Sequence, residues 1–124
     1  KMRILLDTHI VLWALDAPEK LTQKQISALT NPANQIFVSS MSIAELMIKC
    51  SIGKLTVNAD LLDLIQQMGF DYLDYTPKDA LALKDLPYIH RDPFDRMLIT
   101  QAKQQRCVFM SNDAIIQQYD CKIF

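Results

Sequence analysis

The sequence has little of what marks several common protein classes. It contains only two glycines in 124 residues, and no stretch rich in glycine, proline or serine divides it. No internal repeat or low-complexity tract is present, and half of the residues are hydrophobic. These absences exclude a disordered chain and a repeat architecture. A chain of this length and composition is expected to form a single domain, residues 1–124, around one core.

Strong net charge, long apolar runs and paired cysteine motifs are also missing. The net charge of −1 provides no overall basic surface, so any attraction for nucleic acid must be local or due to a metal ion. No apolar run approaches the length of a membrane span, and no signal peptide is recognised. The three cysteines lack Cys-x-x-Cys spacing. We therefore expect a cytoplasmic protein with reduced thiols and no membrane partner.

Short apolar segments alternate with amphipathic ones along the chain. The pattern predicts strands over 3–6, 35–40, 70–75, 107–110 and 121–124, and helices over 7–15, 22–30, 42–53, 59–69, 76–83, 92–105 and 111–119. The strands are apolar throughout, as is typical of parallel strands covered on both faces. We therefore expect an α/β fold, a three-layer α/β/α sandwich with a short, mainly parallel central sheet.

Four acidic residues stand where predicted strands end or the following helices begin. Asp7 ends the first strand, and Glu45 lies in the first turn of the helix after the second strand. Asp95 lies in the first turn of the helix over 92–105, and Asp113 follows the strand over 107–110. Because the carboxyl ends of parallel strands share one edge of a sheet, these four carboxylates are expected to converge on one cleft.

Each of these acids also has an ordinary structural explanation. Ser42 and Glu45 have the spacing of a capping box, in which the glutamate binds a free backbone amide of its own helix. Asp7 and Asp113 could cap the first and last helices, because acidic side chains are favoured at helix N-termini. Taken one at a time, these explanations are sufficient. Two observations favour a functional role, and the shared edge is the first of them.

The stretch HRDPFDR, residues 90–96, places two aspartates on one turn. At 100° per residue, Asp95 falls within the apolar arc that also contains Leu98 and Ile99. Asp92 precedes the proline and lies outside the helix proper, where it can cap the first turn. We therefore interpret Asp92 as the cap of the helix and Asp95 as a candidate residue of the acidic functional site.

A cluster of carboxylates requires a proton or a cation. Two carboxylates about 4 Å apart repel by roughly 4 kcal/mol at an effective dielectric constant of about 20. Oxygen ligands favour Mg²⁺ or Mn²⁺ over zinc, and the two histidines, His9 and His90, are too few and too scattered to form a zinc site. A hard cation that keeps several waters typically acts on a phosphate ester.

Four blocks of the sequence resemble the PIN-domain family, and more narrowly its VapC-type toxins. They are ILLDTHIVLWAL (4–15), SIAELMIKCSIGKL (42–55), HRDPFDRMLITQA (90–102) and VFMSND (108–113), which cover nearly the whole chain in the family order. The resemblance implies an acidic centre at Asp7, Glu45, Asp95 and Asp113. It also implies Mg²⁺- or Mn²⁺-dependent endoribonuclease activity, a homodimer, and an antitoxin whose tail occupies the active-site groove.

Other residues near these acids have candidate supporting roles. Ser111 stands where relatives commonly have the threonine of a T-x-D arrangement, and it keeps the hydroxyl. Thr8 could cap a helix or bind a metal-bound water. Lys49 could form an i,i+4 ion pair with Glu45 or contact the scissile phosphate. Arg96 could contact RNA or antitoxin acids, or pair with the acid that caps its helix.

Two other function classes are compatible with this alternation of strands and helices. A receiver-like phospho-signalling domain needs an acidic pair after the first strand and a lysine after a late strand, and neither is present. A dehalogenase-type phosphatase needs a D-x-D motif where this chain has Asp7-Thr8-His9. A PIN-like module that binds protein or RNA without turnover remains the main alternative, and the presence of all four acids counts against it.

Overall fold

Four short parallel strands form the centre of the computed structural model, which describes residues 1–57 and 60–124. The strands are β1 (Arg3–Leu6), β2 (Gln35–Ser39), β3 (Asp71–Leu73) and β4 (Val108–Met110). They lie in the order β3-β2-β1-β4, and each neighbouring pair is parallel. The carboxyl ends of all four strands therefore meet at one edge, as the sequence predicts.

Helices connect the strands and cover both faces of the sheet. In the described ranges they are α1 (Thr8–Asp16), α2 (Gln23–Thr30), α3 (Ser40–Ser51), α4 (Leu61–Gln67), α5 (Pro77–Leu81) and α6 (Pro93–Gln104). Short 3₁₀ turns occupy Pro18–Lys20, Ala82–Asp85 and Ile116–Gln118. None of the helices found in these ranges combines the length and the apolar character that a membrane crossing requires.

The alternation of side chains along β1 divides the core into two layers. Ile4 and Leu6 point to one face, where they pack with residues of α1, α2, α3 and α4. Leu5 points to the other face and packs with Phe37, Phe109 and residues of α6. All three β1 side chains are fully buried. The expected three-layer α/β/α fold is confirmed, with the sheet as its middle layer.

The C-terminal segment differs from the sequence-based prediction. The predicted helix over 111–119 is wrong, because only a single 3₁₀ turn forms there. The two buried residues at the end of this segment, Ile116 and Tyr119, are three apart, so one tight turn is enough to bury both. The predicted strand over 121–124 is also wrong, because it pairs with β4 only through an isolated bridge between Ile123 and Phe109.

Other boundaries shift by a few residues. Strand β3 is shorter than the predicted 70–75, and the helix predicted over 76–83 changes to a 3₁₀ turn at Ala82. Helix α3 begins at Ser40, two residues before its predicted start, which changes the position of Glu45 within it. The predicted start of the helix over 59–69 lies outside the described residues.

Candidate active site

Asp7 lies at the junction of β1 and α1, with 3% of its surface exposed. Its backbone N–H donates to Met110 O on the neighbouring strand, 2.9 Å away. One carboxylate oxygen, Oδ1, accepts the N–H of His9 at 3.2 Å and caps α1. The other, Oδ2, accepts the Ser111 hydroxyl at 2.7 Å. Asp7 therefore caps its helix and also faces the edge of the sheet where β4 ends.

Glu45 lies in the second turn of α3, and the predicted capping box with Ser42 is wrong. The cap is Ser39, whose hydroxyl accepts the N–H of Met41 at 3.0 Å, so the helix has already begun before Ser42. Ser42 instead shares a buried hydrogen bond of 2.9 Å with the hydroxyl of Thr8. This bond ties α3 to α1, and it leaves Thr8 neither capping its helix nor open to solvent.

The Glu45 carboxylate is buried and only partly paired. Its Oε2 lies 3.5 Å from Lys49 Nζ one turn later, and 9% of the Glu45 side chain is exposed. Its Oε1 is buried and has no hydrogen-bond partner. A buried carboxylate oxygen without a donor is costly unless a cation or a proton is supplied. Glu45 is thus available to a ligand.

The two aspartates on the first turn of α6 have different environments. Asp92 Oδ1 accepts the backbone N–H groups of Phe94 at 2.8 Å and of Asp95 at 3.4 Å. The predicted capping role of Asp92 is therefore confirmed. The Asp95 side chain is only 15% exposed, and its Oδ2 lies 3.2 Å from His90 Nε2. Asp95 is turned toward the other acids, as its place in the apolar arc predicts.

Asp113 lies in the loop after β4 and caps no helix. Its Oδ1 accepts the N–H of Ile115 at 2.8 Å, and its own N–H donates to Ser111 Oγ at 3.0 Å. Its Oδ2 lies 2.9 Å from His90 Nε2. Because Ser111 also donates to Asp7, a single hydroxyl connects the two acids that follow β1 and β4.

His90 is the site residue that the sequence analysis missed. One ring nitrogen of His90 and one oxygen each of Asp95 and Asp113 all lie within 4.8 Å of one another. The sequence analysis considered the histidines only as zinc ligands and did not anticipate this contact of His90 with the acids. Its backbone is held by the buried hydroxyl of Tyr119, which accepts the His90 N–H at 2.7 Å from 29 residues away. No local pattern could have revealed this contact.

Burial and the neighbouring acids shift the pKa of Asp95. The pKa of Asp95 rises from 3.8 to about 7, first because the group is buried and then because of the negative charges of Asp7, Asp92 and Glu45. Proximity to His90 opposes this rise. Asp7 and Glu45 therefore act on the ionisation of Asp95, although neither belongs to the 4.8 Å group of His90, Asp95 and Asp113. Carboxylates crowded in this way are typical of sites that bind a cation or a proton.

Asp113 shifts in the opposite direction. Burial raises its pKa, but hydrogen bonds from His90 and from the N–H groups of Ile115 and Ile116 outweigh this effect. The pKa of Asp113 therefore lies below its usual value, so this carboxylate is ionised at neutral pH. His90 thus touches one acid with a raised pKa and one with a lowered pKa.

The PIN domain family model matches residues 4–121. The chain belongs to the PIN domain family. Among solved structures, VapBC2 from Rickettsia felis bound to a promoter DNA fragment is similar, with a TM-score of 0.74, 16% identity, 98% of this chain and 96% of that chain covered. DNA-bound VapBC from Salmonella typhimurium has a TM-score of 0.71 and 16% identity, and 99% and 96% of the two chains are covered.

A third similar structure is VapBC-1 from nontypeable Haemophilus influenzae. Its TM-score is 0.67 and its identity 17%, with 99% of this chain and 97% of that chain covered. No curated protein sequence matches the chain. These similarities establish the fold along almost the whole of this PIN domain.

Arg96 is committed to the loop before α6. Its guanidinium donates to the carbonyl oxygens of Pro87 at 3.1 Å and Leu86 at 3.4 Å, and to the Tyr119 hydroxyl at 3.4 Å. It also lies over the Tyr88 ring, 5.0 Å from its centroid. These contacts fix the loop that contains His90. They engage the Arg96 guanidinium in place of the ion pair with Asp92 that the sequence also allowed.

The residues present fit a hard divalent cation. The acids of this PIN domain offer only oxygen, and Glu45 Oε1 is buried without a partner. The pKa of Asp95 is raised first by burial and then by the charges of Asp7, Asp92 and Glu45, which the opposing effect of His90 does not cancel. Oxygen donors with uncompensated charge are the ligands that Mg²⁺ and Mn²⁺ prefer.

Proposed function

We propose that this PIN domain is a Mg²⁺- or Mn²⁺-dependent endoribonuclease that hydrolyses RNA phosphodiester bonds with metal-activated water. The observation that supports this most strongly is the buried, unpartnered oxygen of Glu45, a carboxylate whose charge acts on the pKa of Asp95. Burying uncompensated carboxylates destabilises a fold, so their presence here favours a bound cation as their function. The membership in the PIN domain family supports the same proposal.

The four acids have two roles in this proposal. Asp7, Glu45 and Asp95 would hold the ion, and Asp113 would complete the acidic set. When bound, a hard divalent ion neutralises charge on the phosphate and lowers the pKa of a water ligand. The Ser111 hydroxyl orients both Asp7 and Asp113, because it donates to Asp7 Oδ2 and its oxygen accepts the backbone N–H of Asp113. The protein thus supplies the charges of the acids and also holds two of their side chains in place.

Two further side chains support the substrate side of the site. Lys49 lies 3.5 Å from Glu45, and 35% of its side chain is exposed, so its ammonium can also reach an RNA phosphate. The hydrogen bond between Thr8 and Ser42 holds α1 against α3 and so fixes Asp7 relative to Glu45. We assign Thr8 to this structural role in place of a contact with water.

We further propose that the protein is a VapC-type toxin, a cytoplasmic homodimer that is neutralised by a cognate antitoxin. The similar solved structures are VapBC complexes, which supports a protein partner. An apolar groove between α1 and α4 provides a surface that fits an amphipathic antitoxin segment. Its lining includes Leu12, Leu15, Leu55, Leu61 and Leu64.

The test of the nuclease is cleavage of end-labelled RNA by purified protein with Mg²⁺ or Mn²⁺, and with a chelator. We expect cleavage to require the metal and to fall by about a hundredfold or more in Asp7→Asn and Asp95→Asn, because even outer-shell partners of a metal contribute roughly 10- to 100-fold. Asp85→Asn, at an exposed position, is the matched control and should cleave normally.

Two outcomes would reject this function. Undiminished cleavage by Asp7→Asn or Asp95→Asn would mean that the activity comes from another site or a contaminant. RNA binding without any metal-dependent turnover would favour the alternative of a binding module.

The toxin role has its own test. A small reading frame upstream of the gene should encode a protein that copurifies with this one and suppresses its RNA cleavage. Sedimentation of the purified toxin alone should give the mass of a dimer. A monomer, or cleavage that is unaffected by the upstream protein, would contradict the respective proposal.

A further inference from the structure

His90 sits between two of the acids with most of its side chain buried. Its Nε2 lies 2.9 Å from Asp113 Oδ2 and 3.2 Å from Asp95 Oδ2. Only 12% of the His90 side chain is exposed. A single ring nitrogen therefore bridges the first turn of α6 and the loop after β4.

The hydrogen bond at the other ring nitrogen, Nδ1, determines which tautomer His90 adopts. The backbone N–H of Asp92 donates to His90 Nδ1 at 3.0 Å, so Nδ1 must offer a lone pair. A neutral imidazole has one donor and one acceptor nitrogen, so the proton lies on Nε2. The Nε2–H of His90 therefore donates to Asp113 Oδ2, and Asp95 Oδ2 lies 3.2 Å from the same nitrogen. Metal ligation by Nε2 would require the proton on Nδ1, where it would face the Asp92 N–H.

The backbone around His90 is held by residues distant in sequence. The Tyr119 hydroxyl accepts the N–H of Ile89 at 3.0 Å and of His90 at 2.7 Å. Tyr119 is 6% exposed. Arg96 donates to the His90 carbonyl at 3.5 Å. The ring is thus fixed through its own nitrogen, its backbone amide and its carbonyl.

This arrangement divides the carboxylate oxygens into two groups. Both oxygens of Asp113 accept hydrogen bonds, from His90 and from Ile115, and Asp95 Oδ2 lies 3.2 Å from the same His90 nitrogen. Asp95 Oδ1 accepts none of the hydrogen bonds found among residues 1–57 and 60–124, and Glu45 Oε1 is buried without a partner. Asp95 Oδ1 and Glu45 Oε1 are therefore left, without a donor, for a cation, and Asp113 is occupied with His90. Each Asp7 oxygen accepts one hydrogen bond and keeps a further lone pair for the ion.

We propose that His90 is a positioning residue of the metal site: Asp113 accepts its Nε2–H and fixes the ring, and the ring so fixed lies against Asp95 Oδ2 and holds that carboxylate in place. This inference rests on the proposed metal site. In this arrangement Asp113 acts through His90 and need not bind the ion directly. Such partners commonly hold ligating carboxylates in place, and their removal costs roughly 10- to 100-fold in metal affinity.

The first test measures Mn²⁺ binding to the full chain by titration calorimetry. His90→Gln places an amide N–H near the Nε2 position, whereas His90→Asn places its amide near Nδ1 and removes the donor. We expect His90→Asn to weaken Mn²⁺ binding about tenfold or more. His90→Gln should stay within about threefold of the wild type, since the donor is retained.

Each result has a definite meaning. Equal or tighter Mn²⁺ binding by His90→Asn would overturn the inference, as would equal weakening in both variants. If the wild type binds no Mn²⁺, the proposed metal-dependent function itself fails.

The second test needs no metal and measures the wild-type site, with a variant used only to assign the spectra. The chain has only two histidines, so long-range ¹H–¹⁵N spectra of the metal-free wild type can be assigned by comparison with His90→Gln. We expect the proton of His90 on Nε2 and a lone pair on Nδ1. A proton on Nδ1 would overturn the inference, even if His90→Asn fails to fold.

Discussion

Replacing Asp95 by asparagine should stabilise the metal-free protein at the same time as it abolishes metal binding. The pKa of Asp95 is raised from 3.8 to about 7, mainly by burial and then by the charges of Asp7, Asp92 and Glu45. Above this pKa the folded protein contains a carboxylate that the surroundings disfavour. Asparagine keeps an oxygen that can accept the His90 N–H but has no charge to repel.

The expected change in the free energy of unfolding follows from the pKa shift of Asp95. A displacement of about 3 pKa units corresponds to an upper limit of roughly 4 kcal/mol. Asp95 is partly accessible to water, which screens its charge. After this discount we expect Asp95→Asn to raise the free energy of unfolding by about 1–2 kcal/mol at about pH 8 in the presence of a chelator.

The stabilisation expected from Asp95→Asn depends on pH. Because the folded-state pKa is raised, the native protein binds more protons than the unfolded chain between about pH 4 and 7. The contribution of Asp95 to stability is therefore fully present below about pH 4 and is lost as the pH rises through about 7. The gain from Asp95→Asn should be small at about pH 5 and largest at about pH 8.

Urea unfolding of the chelated protein at both pH values provides the measurement. The exposed Asp85→Asn is the matched control and should unfold like the wild type at both. If Asp95→Asn is no more stable than the wild type at about pH 8, the reasoning from crowded carboxylates is refuted. A gain that is equal at both pH values would likewise point to a cause other than charge.

Two further substitutions test the supporting residues. Ser111→Ala removes the hydroxyl that donates to Asp7 and accepts from the Asp113 N–H, and urea unfolding should show a loss of about 1–3 kcal/mol. Ser111→Thr, which restores the hydroxyl, should recover most of this loss, and a neutral Ser111→Ala would contradict the connecting role. Lys49→Gln should lower kcat/KM for RNA cleavage by roughly tenfold without weakening Mn²⁺ binding, because it removes a cation from the substrate side. Lys54→Gln, at an exposed position after α3, is its control, and weaker Mn²⁺ binding by Lys49→Gln would show that Lys49 serves the metal site instead.

The sheet and three of its four acidic positions follow from local sequence rules. Strand β1 ends at Leu6 and α1 begins at Thr8, so Asp7 had to lie at the edge where parallel strands end. Asp95 could be placed because its helix has a clear apolar arc and an obvious cap in Asp92. Asp113 follows β4 directly. In each case the signal lies within a few residues of the acid.

The errors arise where tertiary contacts override local preference. Ser42 and Glu45 match a capping box, but Ser39 caps α3 first, and Ser42 pairs with Thr8 from another helix. The segment over 111–119 has helical spacing, but the loop that contains Asp113 is held to Ser111 and His90 instead. Local patterns cannot distinguish these competing hydrogen bonds.

His90 illustrates the same limit most clearly, because its role depends on partners from three separate elements. The N–H of Asp92 orients the ring, and Tyr119, 29 residues later, fixes the backbone. A histidine two residues before a capping aspartate is an ordinary sequence feature, and only the folded chain brings its Nε2 to two carboxylates. A lone histidine in a chain with convergent acids therefore requires a structure before it can be dismissed.

The same carboxylates serve the fold and the proposed chemistry, and this determines which substitutions are informative. Asp7 caps α1 with Oδ1 and accepts Ser111 with Oδ2. Alanine at this position would remove the cap as well as the charge, at a cost of about 1 kcal/mol for the cap alone. Asparagine keeps an oxygen for the cap and removes only the charge. A loss of cleavage in Asp7→Asn with normal unfolding would therefore report on chemistry, whereas the same loss in Asp7→Ala would confuse an unstable helix with a missing metal ligand.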